Sequence, residues 1–190
     1  TTQLMDLINA VNTEDKRLAP KMERYMESAA NVVFISGGSI RDVFNVLTSH
    51  ITRANFIGKV PNAQHEYLSE YIDSLYELDD YDKEGELRGT KLNLIVGIID
   101  RLSKLKRNPY MELMLKKSTE GNIDLVAEME KNQLICIKMP EDMFNTDNER
   151  DIYTTYWITK VWLALQIRAS VIMDKDKRKN VNLIIDELYQ

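Results

Sequence analysis

The last apolar run of the chain places the strongest constraint on its fold. Residues 181–185 read Val-Asn-Leu-Ile-Ile, and two carboxylates, Asp186 and Glu187, follow directly. A short run of this composition is typical of a strand that is buried on both faces of a sheet. Two adjacent carboxylates at the end of such a strand are costly to bury without a cation or hydrogen-bond donors. The run therefore predicts a covered sheet with a functional acidic pair at one strand end.

The acidic pair has the form of a Walker B element. In P-loop nucleotidases this strand brings an Asp to Mg²⁺ and a Glu to the water that attacks the γ-phosphate. The companion Walker A loop, G-x-x-x-x-G-K-[ST], occurs nowhere in the 190 residues. The chain also begins without Met and ends within three residues of its acidic pair. We therefore expect the chain to be an internal piece of a longer protein, and this piece to contain the Walker B half of an ATP site.

Helical spacing dominates the first two thirds of the chain. Pro20 fits the first turn of a helix, and the cleanest apolar period runs from residue 92 to residue 105. Gly37 and Gly38 predict a break, after which Ser39 and Asp42 have capping-box spacing. The acidic residues after the third amphipathic helix predict an exposed connection: Asp79, Asp80, Asp82 and Glu84.

The pattern changes in the last third. The compact run 134–139, closed by Pro140, predicts a buried strand, and Thr146 begins a long helix that is apolar on most sides. With the run 181–186, this order of strand, helix and strand predicts two parallel strands. The aromatic residues between Tyr153 and Trp162 have helical spacing, which favours a packed core over a surface that stacks nucleic-acid bases.

Composition excludes several classes of protein. A formal net charge of -5 argues against a general nucleic-acid-coating surface. The basic groups at 101–107 and 175–179 are more typical of solvated helix ends and a polar loop. The single cysteine, Cys136, lies in an apolar run, which predicts a packed thiol. His50 and His65 are not in a metal-ligand spacing with it. No membrane-spanning apolar stretch is present, so we expect a cytoplasmic chain.

The residues Gly37-Gly38-Ser39-Ile40-Arg41-Asp42 resemble the G-G-x-V-R-D signature of nucleotidyltransferases that act on transfer RNA. That signature requires metal-binding aspartates a short way downstream. The stretch 43–61 contains no acidic residue, so the helix cap is the preferred interpretation.

The final third carries a broader resemblance. The segment from Gly121 through the 134–139 run and the long helix to Arg168, followed by Asp186-Glu187-Leu188-Tyr189-Gln190, is similar to the Walker B region of FtsK/HerA-type motor ATPases. It is most similar to the branch that includes conjugative type IV secretion ATPases. The helical first two thirds resemble the all-α domain that these proteins insert between Walker A and Walker B.

The resemblance implies a mainly α chain, with a helical insertion domain at 1–120 and a partial RecA-like α/β core at 121–190. Asp186 is then the metal ligand for Mg²⁺, Glu187 the catalytic residue and Gln190 a contact to ATP. Arg168 and Arg150 are candidates for a neighbouring subunit's phosphate site, although salt bridging is the default expectation.

The resemblance also implies a function for the longer protein. That protein translocates DNA, or DNA with attached protein, as a homo-hexamer. Its partners are DNA and secretion-channel or relaxase proteins, and peripheral association with a membrane complex is compatible with this role. Without Walker A, the chain by itself is expected to be inactive.

The alternative from another class is a non-enzymatic helical adaptor with a solvated acidic pair. Parallel pairing of 134–139 with 181–186 favours the motor, whereas a helix or a loop at 181–186 against no neighbouring strand is a reason to abandon it.

Overall fold

The computed structural model describes Leu4, residues 18–114 and residues 123–186. It divides into two compact units, of which the first contains residues 18–114 and 140–155 and the second residues 123–139 and 156–186. The described part is mainly helical, as predicted, and its strands form a two-stranded antiparallel sheet. The predicted domain boundary at residue 120 lies outside the described residues.

Helices and one β-hairpin make up the first unit. In chain order they are α1 (Pro20–Ile35), α2 (Ile40–Thr48), α3 (His50–Ile57), α4 (His65–Tyr76), β1 (Asp79–Tyr81), β2 (Leu87–Thr90), α5 (Val96–Arg107) and α6 (Pro109–Met114). The next helices are α7 (Leu125–Met129), in the second unit, and α8 (Asp147–Val171), which begins in the first unit and continues into the second.

Helix α1 lies at the centre of the first unit and packs against α2 and α4. Pro20 occupies its first turn, as predicted, where the missing N–H removes no helical hydrogen bond. Tyr25, Met26 and Ala29 are fully buried on one face, and burial of each larger apolar side chain stabilises the fold by about 1.5–3 kcal/mol. Other buried members of this core are Val33, Val43, Phe44, Leu47, Leu68 and Leu75.

The turn between α1 and α2 contains Gly37 and Gly38, and each position favours glycine for a different physical reason. Gly37 has a φ of 75°, a conformation that favours glycine. Gly38 lies so close to α1 and α3 that an added Cβ would overlap the Val33 side chain and come within 2.8 Å of Phe56 Cε1. The predicted capping box follows: the Ser39 hydroxyl accepts from the Asp42 N–H, and the Asp42 carboxylate accepts from the Ser39 N–H at 2.8 Å.

The clean apolar period at 92–105 forms a helix that is shorter than its pattern. Residues Leu92–Leu94 make a 3₁₀ turn, and α5 begins at Val96. Ile98 and Leu102 are buried, whereas Leu92 is exposed. The periodicity therefore identified the buried face correctly and placed the start of the helix too early.

A buried ion pair joins the helices to the β-hairpin. Arg53, on α3, is 1% exposed, and its Nε and Nη2 atoms donate to one carboxylate oxygen of Asp79 at 2.9 and 2.7 Å. Its Nη1 donates to the carbonyl of Val46 at 2.8 Å, in the last turn of α2, where carbonyls lack helical partners. Nη2 also donates to the Thr90 hydroxyl at 3.0 Å. One guanidinium thereby connects two helices and both strands.

This geometry corrects the prediction that the acidic stretch is wholly an exposed connection. Its first member, Asp79, begins β1 and is buried against Arg53. Asp80 continues β1, and Asp82 and Glu84, together with Gly85 at a φ of 83°, lie in the turn region that joins β1 to β2. Asp79 is buried because its charge has a fixed cationic partner.

The second unit has a small core between α7 and α8. Leu125 and Met129 of α7 pack with Val161 and Ala164 of α8, and Trp157 covers this cluster as a half-buried residue. The inward positions of α8 are spaced by three and four residues, as a helical face requires. Asp124 caps α7 by accepting from the Val126 and Ala127 N–H groups at 3.1 and 3.2 Å.

The predicted parallel strands are not formed in the described chain. Residues 134–139 and 181–185 have no regular secondary structure, and no ladder joins them. Their apolar side chains are largely uncovered, with Leu134 85% and Ile184 87% exposed. A strand requires a hydrogen-bonded neighbour, and the described residues supply none to either segment.

We expect Arg53→Met to lower the free energy of unfolding by about 3–5 kcal/mol, because it leaves the Asp79 carboxylate buried without a cation. Urea denaturation followed by circular dichroism measures the change. Arg24→Met is the matched control, since the side chains of its pair, Arg24 and Glu77, are 49% and 42% exposed and such pairs contribute about 0–1 kcal/mol. Equal losses in the two variants would contradict the central role of the buried pair.

A Gly38→Ala change is expected to lower the free energy of unfolding by about 1–3 kcal/mol, because Val33 and Phe56 must move to admit the methyl group. Gly89→Ala is the control, since an added Cβ there meets nothing within 4 Å. The same denaturation experiment compares them, and a harmless Gly38→Ala would show that the close approach does not exist.

Candidate functional site

The acidic end of the chain is the site that the sequence predicts. Asp186, the predicted metal ligand, is exposed at the end of the 181–185 segment. Glu187 and Gln190, the predicted catalytic and nucleotide-contacting residues, lie outside the described residues. Among the described residues no group of three or more His, Cys, Asp or Glu side chains is arranged to hold a metal ion. Asp186 therefore belongs to no such group in the described part of the chain.

An arginine of α8 binds the backbone of the segment that precedes Asp186. Arg168 is 5% exposed; its Nε donates to the Glu130 carboxylate at the end of α7, and its Nη2 donates to the Lys179 carbonyl at 2.5 Å. The salt-bridging role expected for Arg168 is thus confirmed, with a backbone contact that the sequence did not indicate. Lys179 precedes Asp186 by seven residues.

A second arginine closes the end of α8. Arg178 donates to the carbonyls of Ala169, Ile172 and Met173 at 3.0, 2.6 and 3.3 Å. Carbonyls at a helix C-terminus lack helical donors, and a basic side chain satisfies them there. The basic group at 175–179 therefore has one member with a structural role, rather than only solvated side chains.

Arg150, the other arginine considered for a phosphate site, has a simpler setting. It forms an ion pair with Asp147, one turn earlier on α8, at 3.2 Å, and the Asp147 side chain is 91% exposed. Such an exposed pair between neighbouring turns contributes little to stability. Its salt-bridging role was the expected one.

The second unit exposes an extensive apolar surface. Cys136 is exposed, so the prediction of a packed thiol is wrong for the described chain. The reason is that the segment 134–139 has no neighbouring strand to cover it. Trp162, predicted to be a core residue, is 61% exposed, whereas Trp157 packs on the α7–α8 core. The exposed apolar residues of α8 are Ile158, Trp162, Leu163, Ile167 and Val171.

Three features of the first unit that the sequence singled out have structural contacts within residues 18–114. The Gly37 turn leads into a capping box in which Asp42 already binds the Ser39 backbone. His65 forms a hydrogen bond between its Nε2 and the Val60 carbonyl at 3.1 Å. Arg101 of the first basic group is buried, and burial lowers the pKa of its guanidinium while the Glu23 carboxylate opposes that shift. The capping box and the histidine contact support structural interpretations of those two features, whereas the burial of Arg101 differs from the solvated helix end expected for its group.

Sequence reasoning missed the residues that determine the internal architecture. Arg53 and Asp79 belong to this group, as does Glu130, the partner of Arg168. A usable signal existed for Arg53, because it lies four residues before the buried Ile57 on the same helical face. A charged residue at an inward position requires a buried counter-charge.

Comparison of the chain with protein-family models, with characterised proteins and with solved structures finds no significant match. Within residues 18–114 and 123–186, no helix has the length and apolar character needed to cross a bilayer.

The thiol of Cys136 is expected to react with an aromatic disulfide reagent in the native chain at a rate within about tenfold of that in denaturant, because exposure governs access to a thiol. The released chromophore measures the rate, and Cys136→Ser provides the blank. Native-state protection of about a hundredfold or more would show that the 134–139 segment is covered.

Proposed function

We propose that this chain is the helical insertion and Walker B part of an FtsK/HerA-type ATPase that translocates DNA, or DNA with attached protein. The feature that carries the proposal is the acidic pair that ends the apolar run 181–185. The unpaired state of that run among the described residues meets the criterion against the motor, so the proposal depends on neighbouring strands from outside these 190 residues. Both 134–139 and 181–185 are apolar, lack regular secondary structure and are largely exposed, and the acidic pair follows the second one.

Uncovered segments of this kind are unfavourable in water. Each side chain such as Leu134 or Ile184 forfeits about 1.5–3 kcal/mol relative to a buried position. Unpaired backbone groups in an extended apolar segment also invite pairing with another strand. Neighbouring strands from outside these 190 residues would satisfy both requirements. A RecA-like core, with parallel strands at 134–139 and 181–186 and α8 as the crossover helix, is the arrangement that we propose.

The chemistry in that core would follow the acidic pair. Asp186 would hold Mg²⁺, Glu187 would polarise the attacking water and Gln190 would contact the nucleotide. ATP and Mg²⁺ are accordingly the proposed ligands of the complete protein, and Walker A would supply the charges around the phosphates. The chain alone would neither bind ATP well nor hydrolyse it.

The first unit has its own packed core and is suited to the role of an inserted domain. It would decorate a hexameric ring and receive the DNA-processing or secretion-channel proteins that deliver the cargo. We place the complete protein in the cytoplasm, in peripheral contact with a membrane complex.

A second candidate function is a non-enzymatic helical adaptor. The observation that favours it is the absence of a strand beside 181–186 within the described residues. In that case the chain docks a partner protein, the exposed apolar segments of the second unit bind that protein rather than complete an ATPase core, and Asp186 and Glu187 are solvated.

The two candidates differ in the effect of Glu187→Gln in the complete protein. For the motor we expect ATP hydrolysis to fall by at least about a hundredfold, because the attacking water loses its base, while nucleotide binding is retained. Phosphate release and binding of a fluorescent ATP analogue measure the two quantities. Glu128→Gln is the matched control, since Glu128 lies on α7 and forms an ion pair with Lys131, which follows the helix. Unchanged turnover in Glu187→Gln would rule out the motor assignment.

A further inference from the structure

Arg168 occupies a position that the amphipathic pattern of α8 reserves for core residues. It follows Val161 and Ala164 at helical spacing on the face that packs against α7. A charged residue at 5% exposure on that face is costly unless its hydrogen-bonding groups are satisfied. Its position is therefore explained by what the guanidinium binds.

The guanidinium binds two parts of the chain that are distant in sequence. One partner is the Glu130 carboxylate, directly after α7, and the other is the Lys179 carbonyl, in the connection between α8 and the segment 181–185. Arginine is suited to this task because its planar fork presents several donors in fixed directions. A lysine ammonium is a compact charge on a flexible stem and does not reproduce that geometry.

Arg178, which lies in the connection after α8, forms further hydrogen bonds between this connection and the helix. It lies beside Lys179 in sequence and donates back to the carbonyls at the end of α8, including Ala169 and Ile172. The connection is therefore tied to α8 at two adjacent residues, by one arginine on the helix and one on the connection itself. Two such ties restrict the direction in which the chain leaves toward residue 181.

We infer that Arg168 is a positioning residue that sets the course of the chain from Lys179 toward Asp186. The structural part of this inference stands on the contacts of Arg168, and its role in ATP hydrolysis rests on the proposed function. Arg168 acts through the backbone of Lys179 and touches neither nucleotide nor metal in this role. Its task is to fix the point at which the chain leaves α8 on its way to Asp186.

The test is Arg168→Lys in the full chain, with Arg150→Lys as the matched control on the same helix. Backbone ¹⁵N relaxation of residues 178–182 reports their order. We expect order parameters near about 0.85 in the unchanged chain and in the control, and below about 0.6 in Arg168→Lys. Order parameters within α1 and α4 are expected to stay the same in all three proteins.

Low order parameters at 178–182 in the unchanged chain would overturn the inference without any variant, which covers the case in which Arg168→Lys fails to fold. Unchanged order in a folded Arg168→Lys, or an equal loss in Arg150→Lys, would overturn it too. In the complete ATPase, Arg168→Lys is expected to lower kcat by at least about tenfold with KM for ATP within about twofold, because the interaction acts on the chemical step.

The two measurements separate two failures. If the complete protein has no ATPase activity, the proposed function fails, and the relaxation data still decide whether Arg168 orders the connection. If kcat is unchanged in an active ATPase, the positioning role fails and the proposed function stands.

Discussion

The buried ion pair between Arg53 and Asp79 is the interaction on which the architecture of the first unit depends. It satisfies a carbonyl at the end of α2, anchors the first residue of β1 and reaches Thr90 on β2. A two-stranded hairpin is marginal by itself, so its place on the helices has to come from such an anchor. A buried pair does not exceed apolar packing in stability, but its directional hydrogen bonds admit few alternative arrangements.

The second unit has apolar segments without a partner of this kind among the described residues. Its α7–α8 core is small, and the apolar segments on either side of α8 face water. The arginine ties at the end of α8 nevertheless hold the connection that leads to Asp186. The second unit thus combines fixed contacts at the end of α8 with apolar segments that no described residue covers.

Local features of the fold could be predicted from sequence because their causes are local. The Ser39–Asp42 capping box is confirmed, since both of its hydrogen bonds form within one turn. The burial of α1 and α5 faces also followed from helical period. The candidate site was harder to predict from sequence. Asp186 could be singled out, but the sequence did not indicate that Arg168 binds Glu130 and the Lys179 carbonyl. Contacts between residues 38 and 11 positions apart leave no periodic trace in the sequence.

The sequence by itself determined the helical character of the chain, the break at Gly37 and Gly38 and the acidic pair that suggests nucleotide chemistry. Propensity, capping and amphipathic spacing act over a few residues and are therefore readable one segment at a time. Only the tertiary structure decided that Asp79 is buried, that Cys136 is exposed and that the 134–139 and 181–185 segments are unpaired. Each of these depends on whether a distant part of the chain supplies a counter-charge, a cover or a neighbouring strand, because burial and pairing are properties of two segments and not of one.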